Sequence, residues 1–309
     1  DMIPEWLTPA IMTIVTASTP LVFAAVGEVL VEKSGVLNLG VEGMMIIGAI
    51  AAFAVGVTTG SPLLAILFGA LAGLVLALIF GLLTLNLLAN QVATGLALTL
   101  FGLGLSALIG HSFVGKTFSG LPRLDIPVIS EIPLIGPLIF GQDILVYMSV
   151  ASVLLVSWFL NKTRWGLLVR AVGENHDAAH SIGYSVNLIR MMAVLFGGAM
   201  AGLGGAYLSL AHTPLWVENM TAGRGWIALA LVVFASWKPW RALFGAYLFG
   251  GITIIQLHAQ GLGFSVAPQF MSMLPYLATI IVLVIISKDT NRSRLNAPAC
   301  LGRGFRASS

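Results

Sequence analysis

Of 309 residues, 58% are hydrophobic and 9% charged, and the mean hydropathy is +0.99. Soluble domains carry roughly 25% charged residues, so this composition excludes a water-soluble enzyme or binding module and defines a polytopic, all-α membrane protein. The formal charge of +3 and the pI near 9.2 do not call for nucleic acid, because basic residues are also what orients spans in a bilayer.

At about 20 apolar residues per span, hydropathy predicts nine transmembrane helices, at 7–30, 35–57, 62–82, 91–110, 143–160, 191–210, 224–237, 242–257 and 269–287. The first run lacks a basic lead-in and is long enough to cross, so it reads as a span and not as a cleavable leader. With the N-terminus outside, Lys33, Lys162, Arg164, Arg170, Arg190, Lys238, Arg241, Lys288, Arg292, Arg294, Arg303 and Arg306 fall inside, twelve of the fifteen basic residues. Lys116, Arg123 and Arg224 are left outside. The positive-inside rule therefore predicts an outer N-terminus and a cytoplasmic C-terminus. One transmembrane domain covers 1–288, and 289–309 forms a basic cytoplasmic tail.

Thirty-five glycines are spread through the apolar runs, where small residues let backbones meet. ILFGALAG at 66–73 echoes ALFGAYLFG at 242–250, on helices predicted to run in opposite directions. The echo suits either an inverted repeat of the transporter kind or generic glycine packing. Between the fourth and fifth spans, the outer loop 111–142 carries Pro122, Pro127, Pro133 and Pro137. Prolines at that spacing forbid a long helix and predict a lid or a short re-entrant turn.

Polar residues inside such a chain need a reason, since a charge at the bilayer centre costs about 2.5–3.5 kcal/mol. Glu28 and Glu32 either face a cavity or reach the inner interface and pair with Lys33. Asn38 and Glu42 are four apart, with glycines at 35, 40 and 43. On a helix beginning near Val36 they share a face with Met45, so they either line a pathway at a broken helix start or make interhelical hydrogen bonds. Asn90, Gln91 and Thr94 open the fourth span, where neutral amides and hydroxyls can bond a passing solute or simply cap and glue the helix. Arg224 beside Trp226 suggests an outer interface. The single cysteine, Cys300, excludes an internal disulfide and sits in a tail expected to be solvated near anionic lipid.

The one long polar island, 164–190, must stand outside lipid on the basic side, within a cytoplasmic loop 161–190. Its His176-Asp177-Ala178-Ala179-His180 approaches the H-E-x-x-H spacing of zinc hydrolases, but aspartate replaces the longer base and no third ligand lies nearby. Two solvated histidines on a surface helix are the simpler reading. GHSFVGKT at 110–117 matches the nucleotide-binding P-loop letter for letter. A working P-loop needs a strand before it and a helix after it, whereas a membrane helix precedes this one and a proline-rich loop follows.

VEKSGVLNLGVEGMMIIGA (31–49), NQVATGLALTLFGLGL (90–105), RAVGENHDAAHSIGYSV (170–186), GGAMAGLGGAYLSL (197–210), GRGWIALALVVFASWKPWRALFGAYLFG (223–250) and APACLG (297–302) together carry a nearly whole-chain resemblance. The chain resembles the permease subunits of ATP-binding-cassette importers for branched-chain amino acids, simple sugars and nucleosides, and most of all the shorter permease of bacterial nucleoside importers. The resemblance implies a multi-pass protein of the bacterial inner membrane, working with a second related permease, an ABC ATPase and an extracytoplasmic solute-binding protein. It also implies a short cytoplasmic coupling helix that docks on the ATPase, here GENHDAAHSIG, with Gly173, Glu174, Ala178, Ala179 and Gly183 matching the group's pattern. Asn175 stands where the group often has proline, and Asn175 or Glu174 can cap the helix. No cofactor is expected in this chain, since ATP and Mg²⁺ belong to the partner ATPase. The leading expectation is import of a nucleoside or similar small polar solute, with a simple sugar or branched-chain amino acid as the alternative cargo. A secondary transporter and an intramembrane metallohydrolase at His176 and His180 are the readings outside this class.

Overall fold

A computed structural model describes residues 4–288 and 296–307, except 126, 130 and 265. Its helices are α1 (Leu7–Lys33), α2 (Val41–Thr59), α3 (Pro62–Gly81), α4 (Gln91–Gly110), α5 (Ile144–Lys162), α6 (Arg164–Glu174), α7 (His176–Ser181), α8 (Val186–Tyr207), α9 (Arg224–Phe234), α10 (Pro239–Gly261) and α11 (Pro268–Ser287). α3 and α8 each continue into one turn of π-helix, at Leu82–Asn86 and Leu208–His212. The expected all-α class holds among the described residues, which contain only isolated bridges and no strand.

Side-chain oxygens set several helix starts, as an exposed N–H group in lipid demands. Ser61, Asn90, Asp143, Thr163 and Asn175 accept the N–H of Leu64, Ala93, Val146, Gly166 and Ala178.

Seven described helices, α1 to α5, α8 and α10, are long and apolar enough to cross a membrane. They match seven of the expected nine, and α9 and α11 are the other two. α9 has 11 residues, about 16 Å at 1.5 Å per residue, against a hydrocarbon core of roughly 30 Å. α11 has 20 residues, Pro268–Ser287, about 30 Å at the same rise and so of spanning length.

α8 is the centre of the bundle, packed on α1, α2 and α3. Its glycines make this possible by letting three neighbouring backbones approach at once. A Cβ on Gly197 would meet Val31 of α1, one on Gly198 would meet Ala77 and the Gly73 carbonyl of α3, and one on Gly205 would meet the Met45 carbonyl of α2. The echoing segments of α3 and α10 use glycine in different places. Gly69 and Gly73 seat α3 on α8, while Gly245 faces Phe234 of α9 and Gly250 faces Ser18 of α1.

At the end of the bundle away from α6 and α7, the proline-bearing loop lies across the tips of α2, α4 and α8. Phe118 is buried against Gly56, Thr117 bridges Leu215, Arg123 bridges Asp143, and the Trp216 indole sits on Gly110.

Candidate functional site

The helix break at the start of α2 is longer than the sequence suggested. α2 begins at Val41 and not near Val36, and 34–40 is a buried irregular connector that turns at Gly35 with φ +90°. Asn38 therefore does not share a helical face with Glu42. Its Oδ1 accepts the Gly40 N–H at 2.8 Å and its amide lies 3.4 Å from the Met44 sulfur, so it shapes the connector.

Glu42 reaches across to α9. Its Oε1 accepts the Thr221 hydroxyl at 2.6 Å and the Gly223 N–H at 2.9 Å, and its Oε2 accepts the Gly225 N–H at 2.6 Å. A buried carboxylate thus satisfies the orphan donors and the positive dipole end of a half-length helix. Gly225 allows the approach, since a Cβ there would lie 2.5 Å from the Glu42 nitrogen. Arg224 folds back onto the Met220 and Thr221 carbonyls at 3.1 and 3.3 Å. The GRGW stretch is consequently level with the first turn of α2 and not at an outer rim, because Glu42 holds it there.

The other end of α9 is fixed to α1. Ser236 and Trp237 both take left-handed backbone angles, φ 49° and 56°, a conformation costly without glycine. The Trp237 indole N–H donates to Glu32 at 2.7 Å and secures that turn. The expected pairing of Glu28 and Glu32 with Lys33 does not form. Lys33 donates to the Asn296 carbonyl at 2.9 Å, and the two buried oxygens of Glu28 have no hydrogen-bond partner among the described residues.

At the start of α4, Asn90 caps the helix through Ala93 and is exposed, while Thr94 is half-buried. Gln91 is buried and accepts the Leu37 N–H at 2.9 Å, and Thr99 donates to the Leu39 carbonyl at 3.1 Å. The broken connector is therefore clamped by α4 on one side and, through Glu42, by α9 on the other.

On the α6–α7 face, Asn175 accepts the Ala178 N–H at 3.0 Å and starts α7. The residues singled out there divide. Glu174, Asn175, Ala178 and Gly183 are exposed, as are Asp177, Ser181 and Ile182. Ala179 and Gly173 are buried inside the chain, Ala179 in a small cluster with Val172, Val186 and Phe305. Any side chain on Gly173 would collide with the Lys33 carbonyl. Cys300 is buried too, and residues 296–307 are docked onto the bundle where a solvated tail was expected; 289–295 lie outside the described residues.

His176 and His180 do not converge on a metal. Both rings pack on Phe305, at 5.3 and 5.2 Å, and no group of three or more metal-ligating side chains occurs among the described residues. The GHSFVGKT stretch leaves α4 through one 3₁₀ turn into extended chain, so it has neither the strand nor the helix of a phosphate cradle.

Sequence reading missed a cavity of about 580 Å³ at the opposite end, where Thr13, Arg123, Asp143 and His212 meet apolar residues such as Met12 and Leu121. Burial raises the carboxyl pKa of Asp143 above its ordinary value, against the Val146 N–H and the Tyr207 hydroxyl, which favour the charged form. These residues come from the α1 start, the loop, the α5 cap and the π turn of α8, separated by up to about two hundred positions, which no local pattern records.

A buried half-helix held by a carboxylate, a broken helix beside it and a separate short helix on the polar face define a membrane transport subunit. The family described as branched-chain amino acid transport system, permease component, matches residues 10–284, and the chain belongs to that family, as its resemblance implied. It is 40% identical, over 94% of its length and 95% of the relative's, to TsgC13 of Haloferax volcanii, provisionally named a glucose ABC transporter permease protein. It is 35% identical to the nucleoside ABC transporter permease protein NupC of Lactococcus lactis, over 87% of this chain and 89% of that one. For the guanosine ABC transporter permease protein NupQ of Bacillus subtilis the identity is 33%, over 86% and 88%. A second nucleoside permease of Lactococcus lactis, NupB, is 25% identical over 79% of this chain and 70% of its own.

Proposed function

We propose that the chain is the permease subunit of an ATP-driven importer that moves a nucleoside or similar polar solute into the cytoplasm. Its N-terminus is outside and its C-terminus cytoplasmic in a bacterial inner membrane, with the cavity near Asp143 as an outer chamber. The observation that carries the reading is α7. It is a short, capped helix seated on the bundle through Ala179, with Asp177, Ala178, Ser181 and Ile182 open to a partner. That partner is a separate ATPase, which binds ATP and Mg²⁺, and an extracytoplasmic binding protein delivers the solute.

NupC and NupB are two permeases of one organism, and this chain is closer to the first. That pairing supports a distinct second permease, with the path between the two. Within this reading the exposed Asn90 and half-buried Thr94, at the start of α4, are the pathway candidates. Asn38, Gln91 and Glu42 hold the surrounding backbone. The 66–73 and 242–250 echo belongs with the same reading as the trace of an inverted repeat.

A simple sugar is the second reading for the cargo, favoured by the 40% identity to TsgC13. Both cargoes present ribose- or hexose-type hydroxyls to neutral hydrogen-bonding groups. The test is uptake of labelled uridine into liposomes holding this chain with its partner permease, ATPase and binding protein, and glucose as competitor. ATP-dependent uptake competed by other nucleosides is expected, and competition by glucose alone transfers the cargo to sugars. Uptake by this chain without the ATPase would sink the importer reading.

A further inference from the structure

We infer that residues 296–307 form a strap that carries movement of α7 to the broken start of α2, with Phe305 and Arg190 as its positioning residues. The inference rests on the importer reading, in which α7 meets the ATPase.

Two kinds of contact define the strap. Along its backbone, the Cys300 N–H donates to the Gly173 carbonyl at 2.8 Å and the Gly302 N–H donates to the Gly35 carbonyl at 3.0 Å. Arg190, fully buried near the start of α8, donates from Nε to the Ser34 carbonyl at 3.1 Å and from Nη1 to the Arg303 carbonyl at 2.7 Å. One guanidinium thus joins the connector of α2 to the strap. At the far end, the buried Phe305 ring meets His176 of α7 edge-on, with ring planes 71° apart, and also leans on His180.

The apolar cluster under α7, made of Val172, Ala179, Val186 and Phe305, is separate from the main core of the bundle. Among the helices, α7 packs on α6 and α8. A push on α7 therefore acts first on a small cluster of which the strap supplies the one aromatic ring. From there the strap backbone leads to Arg303, which Arg190 ties to Ser34, and to Gly302, whose N–H is bonded to Gly35. The connector 34–40 then ends at Glu42, which holds α9. Such a line counts as a coupling route only if breaking it changes coupling, so the test must read coupling itself.

The complete importer, reconstituted in liposomes, is assayed for solute taken up per ATP hydrolysed and for recovery of the ATPase with the permease. In Phe305→Ala and in a chain ending at residue 295, the ATPase is expected to remain bound and to hydrolyse ATP, while uptake per ATP falls about tenfold. Phe305→Tyr, which keeps the ring, restores the ratio. Phe305→Leu keeps apolar volume without the aromatic contact, so it carries the test if the alanine variant fails to fold, with an expected drop of at least about fivefold. An unchanged ratio in folded Phe305→Leu overturns the strap while leaving the importer reading intact. Loss of the ATPase from the variant complexes overturns it too, because the segment then serves docking and not transmission. Absence of ATP-dependent uptake by the unaltered complex overturns the importer reading, and the strap with it.

Discussion

The two ends of α8 are held in opposite ways. At Gly198, Gly202 and Gly205 its backbone lies directly against α3 and α2, and a Cβ at Gly198 or Gly205 has nowhere to go. At Arg190, one helical stretch earlier, contact with the rest of the chain runs through a long side chain and two hydrogen bonds to carbonyls. Backbones in direct van der Waals contact cannot slide without collision, whereas a guanidinium can exchange one carbonyl for another or for water. The difference makes the centre of the bundle the tighter of the two contacts and the end that carries α6 and α7 the looser.

Replacing Gly198 by leucine attacks the rigid end. Overpacking ordinarily costs about 1–3 kcal/mol, and here the new side chain meets Ala77 and the Gly73 carbonyl together. The expected cost exceeds about 3 kcal/mol, read as loss of a monodisperse species on purification in detergent. A stable, correctly sized Gly198→Leu protein would show that the centre yields after all.

Next in size is Glu42→Ala, which strips α9 of its buried acceptor and leaves the Gly223 and Gly225 N–H groups and the Thr221 hydroxyl unpaired. Each buried orphan costs about 1–3 kcal/mol, so a loss of about 3 kcal/mol is expected. Hydrogen exchange should place that loss in 221–234 before it spreads to α8. Uniform exchange across both segments would mean that α9 and α8 are one cooperative unit.

The legibility of the two ends in the sequence follows the same division. The glycines of GGAMAGLGGAYLSL and the capping residue and alanines of α7 are local patterns, so close packing in one and a short capped helix in the other could be read directly. Glu42 could be marked as costly but not placed, because its partners lie 179 to 183 positions away. Trp237, 205 positions from Glu32, was invisible for the same reason. The strap was misread since the basic residues of 289–309 resemble a solvated tail, and its anchors, the Phe305 ring and backbone bonds to Gly35 and Gly173, have partners more than one hundred positions away. α9 was counted as a span because hydropathy registers apolarity and not the loop that replaces half a helix.

At the end that carries α7, two neighbouring alanines separate docking from seating. Ala178→Asp adds a charge to an exposed position, where surface substitutions stay within about 0.5 kcal/mol. The melting temperature should therefore hold while uptake falls about tenfold. Ala179→Asp puts a charge into the cluster under α7 and should lower the stability of 172–186 by about 2 kcal/mol before docking is reached. Equal behaviour of the two variants would erase the distinction between the outer and inner faces of α7.

The smallest effect tests whether the seat of α7 is soft enough to respond to pH. Burial, the Arg190 charge from α8 and the Arg303 charge from the strap hold the His176 imidazole below its ordinary value of 6.5, with Asp177 on α7 itself opposing. The folded chain keeps this ring neutral at pH values where the unfolded chain has taken a proton, so the unfolded state binds more protons and stability rises with pH there. The contribution is complete above about 6.5, declines as the pH falls below it, and levels off once the folded imidazole is itself protonated. Protection of 296–307 from hydrogen exchange should accordingly drop between pH 7.5 and 5.5, while protection of 197–205 stays level. In His176→Gln the drop should disappear. If it persists there, the pH response does not arise at the seat of α7.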